Sequence, residues 1–308
     1  MPSAYDRRAL SAIEVHDLRK SYGDLEAVTG VSFDVAPGEV FCLLGPNGAG
    51  KTTITEILEG HRARSSGEVS VLGIDPAGGP RALRERIGIV LQSCGVQSDL
   101  TVAELIEMYG RYHEQRRGVD ELIELVELGA KRETRASDLS GGQRRRLDLA
   151  LALVGEPDLI FLDEPTTGFD PHARRQAWST IRSLCELGKT VFLTTHFMDE
   201  AQTLANRVAV MRAGKIVAIG SPDELGGRGQ RPCVIRFTLP AGAEPPPTPG
   251  AEVTRDGDRV KLQTTDPVRV TAAIAAWAVE QGVELAGFSV TQPTLEDIYL
   301  ELTGESGQ

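Results

Sequence analysis

The stretch Val40-Phe41-Cys42-Leu43-Leu44 runs directly into Gly45-Pro46-Asn47-Gly48-Ala49-Gly50-Lys51-Thr52-Thr53. Five apolar residues read as a short buried strand, and the segment after them matches G-x-x-x-x-G-K-[ST] at every fixed position. Glycines at 45, 48 and 50 let backbone N–H groups turn toward one point. Lys51 supplies a cation to the outer phosphates of a nucleotide and Thr52 an oxygen ligand for Mg²⁺. A helix starting near residue 50 aims its positive end at the same anion. A plain glycine-rich turn is the competing reading, and the fixed Lys-Thr pair behind a strand favours nucleotide binding over it.

The 308 residues are enough for one large α/β domain and a smaller one, each with its own core. A hydrophobic fraction of 41% and a charged fraction of 25% are ordinary for a soluble protein. No uncharged apolar run approaches the roughly 18 residues of a membrane span. The first ten residues carry Asp6, Arg7 and Arg8 without an apolar core, so the expected location is the cytoplasm. Cys42, Cys94, Cys185 and Cys233 show no CxxC pair and read as small core residues. A net charge of −11 argues against a broad nucleic-acid-binding surface, so any phosphate site must be built locally from loop and helix ends.

Before the glycine loop, residues 13–18 and 31–35 read as two edge strands, with Tyr22-Gly23-Asp24 as a turn. Tyr22 is either a surface tyrosine or a ring on which an adenine stacks. After the loop, 52–59 reads as a helix stopped by Gly60, and 68–73 and 87–91 read as strands, the second followed by Gln92. Helical periodicity over 100–112, with Thr101 to Glu104 as a capping box, and over 119–128 marks a helical insert. Leu139-Ser140-Gly141-Gly142-Gln143 then precedes a helix over 144–154, either as a simple N-cap or as a second phosphate contact. Arg144, Arg145 and Arg146 read as a solvated face or as partners of the acidic insert.

Leu159-Ile160-Phe161-Leu162-Asp163-Glu164-Pro165 is an apolar strand ending in two carboxylates. Facing a phosphate loop, the first can hold Mg²⁺ and the second can orient and deprotonate a water. Residues 166–171 turn into a helix over 174–187, and 190–195 form a strand ending at His196. That histidine is structural or, beside the strand carrying Asp163, a terminal-phosphate contact. Strands over 207–211 and 215–218 follow, then a linker at 226–231 and a small α+β domain over 232–308. In that tail Asp256-Gly257 marks a hairpin, with helices at 268–281 and from Leu295.

The order of phosphate loop, Gln92, Leu139 to Gln143, Asp163-Glu164, Asp170 and His196 resembles an ABC-transporter nucleotide-binding subunit over residues 13–225. Arg144 to Ala150 and the ending Leu295 to Thr303 look like the daunorubicin-resistance type of bacterial ATPase serving ABC-2 exporters. The resemblance implies a P-loop NTPase α/β fold with an antiparallel β subdomain and a helical subdomain at about 93–158. It implies an ATPase in which Tyr22 stacks on adenine and residues 45–53 bind ATP. Glu164 is then the general base, with Lys51, Gln92 and His196 at the reacting phosphate and Thr52, Gln92 and Asp163 around Mg²⁺. Ser140, Gly141, Gly142, Gln143 and Asp170 would contact ATP held by a second copy.

The implied partners are integral membrane permease subunits of ABC-2 type and a second ATPase subunit, with the chain peripheral on the inner membrane face and no nucleic acid involved. The implied cargo is a drug, antibiotic or other hydrophobic compound. Lipid, polysaccharide or sodium export and a soluble ABC ATPase acting on nucleic acid or ribosomes are the alternatives. Phe169 departs from the leucine usual between Gly and Asp in that family.

Overall fold

A computed structural model describes residues 11–90, 99–240, 250–292 and 294–303, with 243, 246 and 248 besides. Gln92 and Cys94 lie outside the described residues. The chain divides into two compact units, 1–222 and 223–308.

In the first unit, strands β1 (Ile13–Tyr22), β2 (Leu25–Val35), β3 (Val40–Leu44), β4 (Ser66–Val71) and β5 (Ile87–Val90) come first. They are followed by β6 (Leu159–Asp163), β7 (Thr190–Thr195), β8 (Arg207–Arg212) and β9 (Lys215–Gly220). One sheet has the order β2-β1-β4 and is antiparallel. The other has the order β5-β6-β7-β3-β8-β9, parallel except for the last strand. The two-edge-strand reading of the first forty residues is therefore corrected: β1 is the middle strand. Its alternation of buried and exposed side chains gave no sign of the third partner, β4, which arrives some fifty residues later.

All five side chains of β3 are buried, as a strand with neighbours on both edges and layers on both faces requires. The register sets Phe41 beside Phe192 and Phe161 beside Phe192 across β3, β7 and β6. Phe192 thus sits among three rings, 5.8 Å from Phe41, 5.6 Å from Phe161 and 6.1 Å from Phe33 of the antiparallel sheet. This cluster joins the two sheets in one core. Phe192→Ala is expected to cost about 3–5 kcal/mol, as deletion of a fully buried ring does. The check is a fall in the urea midpoint at unchanged slope.

The helix after the phosphate loop is Lys51–Leu58, and the insert contains helices Val102–Gly110 and Val119–Leu125. Thr101 and Glu104 form the expected capping box. The next two long helices start three residues earlier than periodicity indicates, at Gly141–Leu153 and Pro171–Glu186. In each the first turn is polar, and a side-chain cap rather than an apolar face defines it: Ser140 in one, Asp170 in the other.

The second unit opens with helical turns over Leu225–Gln230, with Gly226 and Gly227 in left-handed conformation. It then has β10 (Cys233–Thr238), β11 (Ala251–Asp256), β12 (Arg259–Thr264) and β13 (Ala286–Thr291), with helices Pro267–Gln281 and Leu295–Thr303. The antiparallel order is β11-β12-β10-β13, and Ile235, Phe237, Val260, Leu262, Val270 and Ile274 form its core.

Candidate active site

Lys51 belongs to a loop that only glycine can build. A Cβ on Gly45 would stand 2.7 Å from the Met211 carbonyl oxygen, and one on Gly50, at φ 104°, 2.7 Å from that of Ala27. The β8–β9 hairpin turns at Ala213-Gly214, and the Gly214 N–H donates to the Ala49 carbonyl at 3.0 Å, fixing the loop from outside. Pro46, Asn47 and Gly48 are left exposed at its rim, and the Thr52 side chain is exposed with Thr53 half-buried.

The helix that follows starts on Gly50 with no side-chain cap and no acidic residue in its first turn. Every longer helix among the described residues is capped by a side chain, from Thr101, Ser140, Asp170, Asp266 or Thr294. The N–H groups of its first turn thus have no side-chain cap among the described residues and point where an anion sits well. The Lys51 ammonium, only 5% exposed, donates to the Gly45 and Pro46 carbonyls at 2.7 and 3.2 Å. Burial pulls its pKa below the ordinary lysine value, and the charges of Glu164 and Asp163 pull it back.

The sheet order brings the carboxylates to this loop. β6 and β7 are neighbours with Asp163 opposite Thr194, and β7 is next to β3 with Thr195 opposite Leu44. The Thr194 hydroxyl donates to Asp163 Oδ1, and the Gly45 N–H to the Thr195 carbonyl at 3.2 Å. Glu164 has φ 46°, a left-handed conformation uncommon for a non-glycine residue. Its own N–H, bonded to the Thr194 carbonyl at 3.1 Å, holds it there. Glu164 Oε1 lies 3.8 Å from Lys51 Nζ and 3.2 Å from His196 Nδ1, and its Oε2 accepts from the Thr167 hydroxyl at 3.1 Å. The imidazole N is close but out of line for a hydrogen bond.

Lys51, Glu164 and His196 therefore meet, with Asp163 next in chain. A buried cation that neutralises phosphate and a nearly buried carboxylate that can take a proton are the parts a phosphoryl-transfer site needs.

Ser140, Gly141, Gly142, Gln143 and Asp170 gather elsewhere. They line an open cleft of about 530 Å³ with Thr167 and Phe169, and neither the phosphate loop nor Glu164 contributes to its wall. Ser140 and Gln143 close a reciprocal box on the helix start, at 3.0 and 3.3 Å. Asp170 accepts from the N–H groups of Ala173 and His172, which hold its pKa below the ordinary carboxylate value. The capping reading of this stretch is thus realised, and the cleft adds a concave surface next to it.

Tyr22 ends β1, 40% exposed. Its hydroxyl accepts from Arg62 at 2.6 Å, and Lys20 and Arg62 stand 5.0 and 5.3 Å from its ring centre. Of the three arginines, Arg146 pairs with Glu127 of the insert at 3.2 Å, while Arg145 turns inward to the carbonyls of Asp163 and Pro165 at 3.1 and 3.2 Å. Arg145, which reads from sequence with its neighbours as solvated or paired to the insert, turns inward here, and Thr194 and Glu200 are not among the residues the sequence picks out. Each acts through a tertiary contact 18 to 34 residues away, for which local pattern carries no signal.

Residues 28–167 match the family described as "ABC transporter", and residues 233–294 match the "ABC transporter domain-containing protein-like, C-terminal domain". The chain is 42% identical over 306 residues to the Nod factor export ATP-binding protein I of Rhizobium meliloti, covering 95% of this chain and 88% of that one. It is 38% identical over 305 residues to the daunorubicin resistance ATP-binding protein DrrA3 of Streptomyces coeruleorubidus, covering 96% of each. Among solved structures, CbiO1 from Clostridium perfringens, part of the ABC transporter complex CbiONQ, superposes with a TM-score of 0.64 at 29% identity. That match covers 70% of this chain and 90% of the other. With the phosphate loop, the paired carboxylates and the histidine assembled as described, the chain belongs to the ATP-binding, ATP-hydrolysing subunits of ABC transporters.

Proposed function

We propose that this chain is the motor of an exporter: two copies close on two ATP molecules, and hydrolysis reopens them to drive separate membrane subunits. The observation that carries the reading is the separation of two sets of residues. Lys51, Glu164 and His196 meet beside the phosphate loop, while Ser140, Gly141, Gly142, Gln143 and Asp170 line a cleft to which none of those three contributes, so a nucleotide gripped by both sets calls for two chains. Export is supported by relatives named for Nod factor export and daunorubicin resistance. Among the described residues no helix is long and apolar enough to cross a membrane, in keeping with a translocation path made by partner subunits of ABC-2 type at the inner membrane face.

In this mechanism residues 45–53 cradle the phosphates and Tyr22 stacks on the adenine. Glu164 takes a proton from a water whose oxygen forms the new bond to the γ-phosphorus, as the bond to the ADP oxygen breaks. Lys51 and His196 face the charge that spreads over the γ-phosphoryl oxygens. The Thr52 hydroxyl and Asp163 carboxylate are hard oxygen donors of the kind Mg²⁺ prefers, and they would hold it. When bound, the ion neutralises phosphate charge. ATP favours the closed pair because only there do both grips engage, and loss of the γ-phosphoryl link removes that preference. The cargo is a drug or other hydrophobic compound, selected in the membrane subunit.

The test is recovery of tagged protein from its host's membranes, followed by ATP hydrolysis on the product. A polytopic membrane protein is expected to co-purify, and Lys51→Ala is expected to abolish hydrolysis. Recovery of ribosomes or nucleic acid with no membrane protein would overturn the exporter reading.

A further inference from the structure

Glu200 is a fully buried carboxylate in the helix Met198–Leu204, which begins two residues after His196. Its Oε1 accepts from the Thr166 hydroxyl at 2.8 Å and from the Trp178 indole N–H at 3.1 Å. Thr166 is itself wholly buried and forms the floor of the turn after β6. Its carbonyl accepts from the Phe169 N–H at 3.1 Å, and the next residue, Thr167, donates to Glu164 Oε2. Trp178 belongs to the helix that Asp170 caps. One oxygen atom thus ties three segments: the turn that leaves Glu164, the helix that starts at Asp170 and the helix that follows His196.

An ionisable group is a costly choice for so buried a place, and a leucine of similar size would fill it without loss of solvation. What the carboxylate supplies instead is a fixed acceptor for two donors. We propose that Glu200 is a positioning residue for hydrolysis, holding Thr166 so that the turn carries Glu164 at one end and Asp170 at the other in fixed relation to His196. This rests on the reading of Glu164 and His196 as the hydrolytic pair. The two helices are tied independently at the surface by Arg174 and Asp199 at 3.2 Å, so their docking does not depend on Glu200 alone.

The experiment compares ATP hydrolysis, equilibrium ATP affinity and melting temperature in the full-length chain under conditions where the wild type turns over. Thr166→Val and Glu200→Ala are each expected to lower kcat about tenfold, the scale of a sub-ångström misplacement, with KM and affinity within about twofold. The double variant is expected to be no slower than Glu200→Ala, because both remove one link. Glu200→Gln, whose amide oxygen accepts from the same two donors, is expected to restore kcat. Asp199→Asn, which loosens the same helices without touching the turn, is expected to leave kcat at the wild-type value. Thr166→Val at wild-type kcat, or Glu200→Gln as slow as Glu200→Ala, would overturn the positioning role. Should Glu200→Ala not fold, Thr166→Val and Glu200→Gln decide it. Glu164→Gln run alongside separates the two failures: wild-type turnover there removes the base assignment and this inference with it.

Discussion

Glu164→Gln is expected to bind ATP as the wild type does and to hydrolyse it about 10² to 10⁴ times more slowly, the usual contribution of general-base help. Glutamine has the same shape, and its amide oxygen can still accept from the Thr167 hydroxyl, so the left-handed turn at residue 164 keeps its tether. What disappears is the ability to take a proton. The ammonium of Lys51, 3.8 Å away, also loses the largest charge that offsets its burial and gains a stronger preference for phosphate. Nucleotide affinity should therefore not fall, and the ATP-bound pair should persist. Rapid-mix hydrolysis and size-exclusion chromatography with ATP measure the two effects. Wild-type turnover would remove Glu164 from the base role.

The parts of this site that were legible in the sequence are those whose chemistry is local. Gly45, Gly50, Lys51 and Thr52 sit within eight residues, and loop, cation and helix start follow from that string alone. Asp163 and Glu164 were legible as the end of an apolar run. Their meeting with Lys51 depends on the order β6-β7-β3, which places strands about 120 residues apart in one parallel sheet, and resemblance rather than periodicity supplied that expectation. Apolar spacing places the helix starts at Gly141 and Pro171 three residues late because a cap is a polar event and that spacing begins only after it. β1 reads as an edge from sequence because sheet neighbours arriving later in the chain leave no mark on a strand's own alternation. Glu200 goes unmarked and Arg145 reads as a solvated or insert-pairing residue for the same reason: a charged residue on a helix is usually solvated, and only the fold shows these two turned inward.

A second large effect concerns pH. Glu59 caps the C-terminal end of the phosphate-loop helix with its carboxyl 2% exposed. Burial first, then the charges of Asp163 and Glu56, push its pKa from 4.5 up to about 8. His61 Nδ1 lies 3.2 Å from it, but that ring is 53% exposed, so water screens the contact. Between these two pH values the folded chain keeps the carboxyl protonated while the unfolded chain has released the proton. The folded state then binds more protons, so stability falls as pH rises through the window, by on the order of 4 kcal/mol in all. Glu59→Gln removes the titration. Its urea midpoint is expected to lie close to that of the wild type at the acid end of the window and well above it near pH 8, with the gap widening steadily between. Two midpoints running parallel across that range would mean that Glu59 is already ionised in the folded chain, and that the helix bearing Lys51 carries a buried negative charge at its far end.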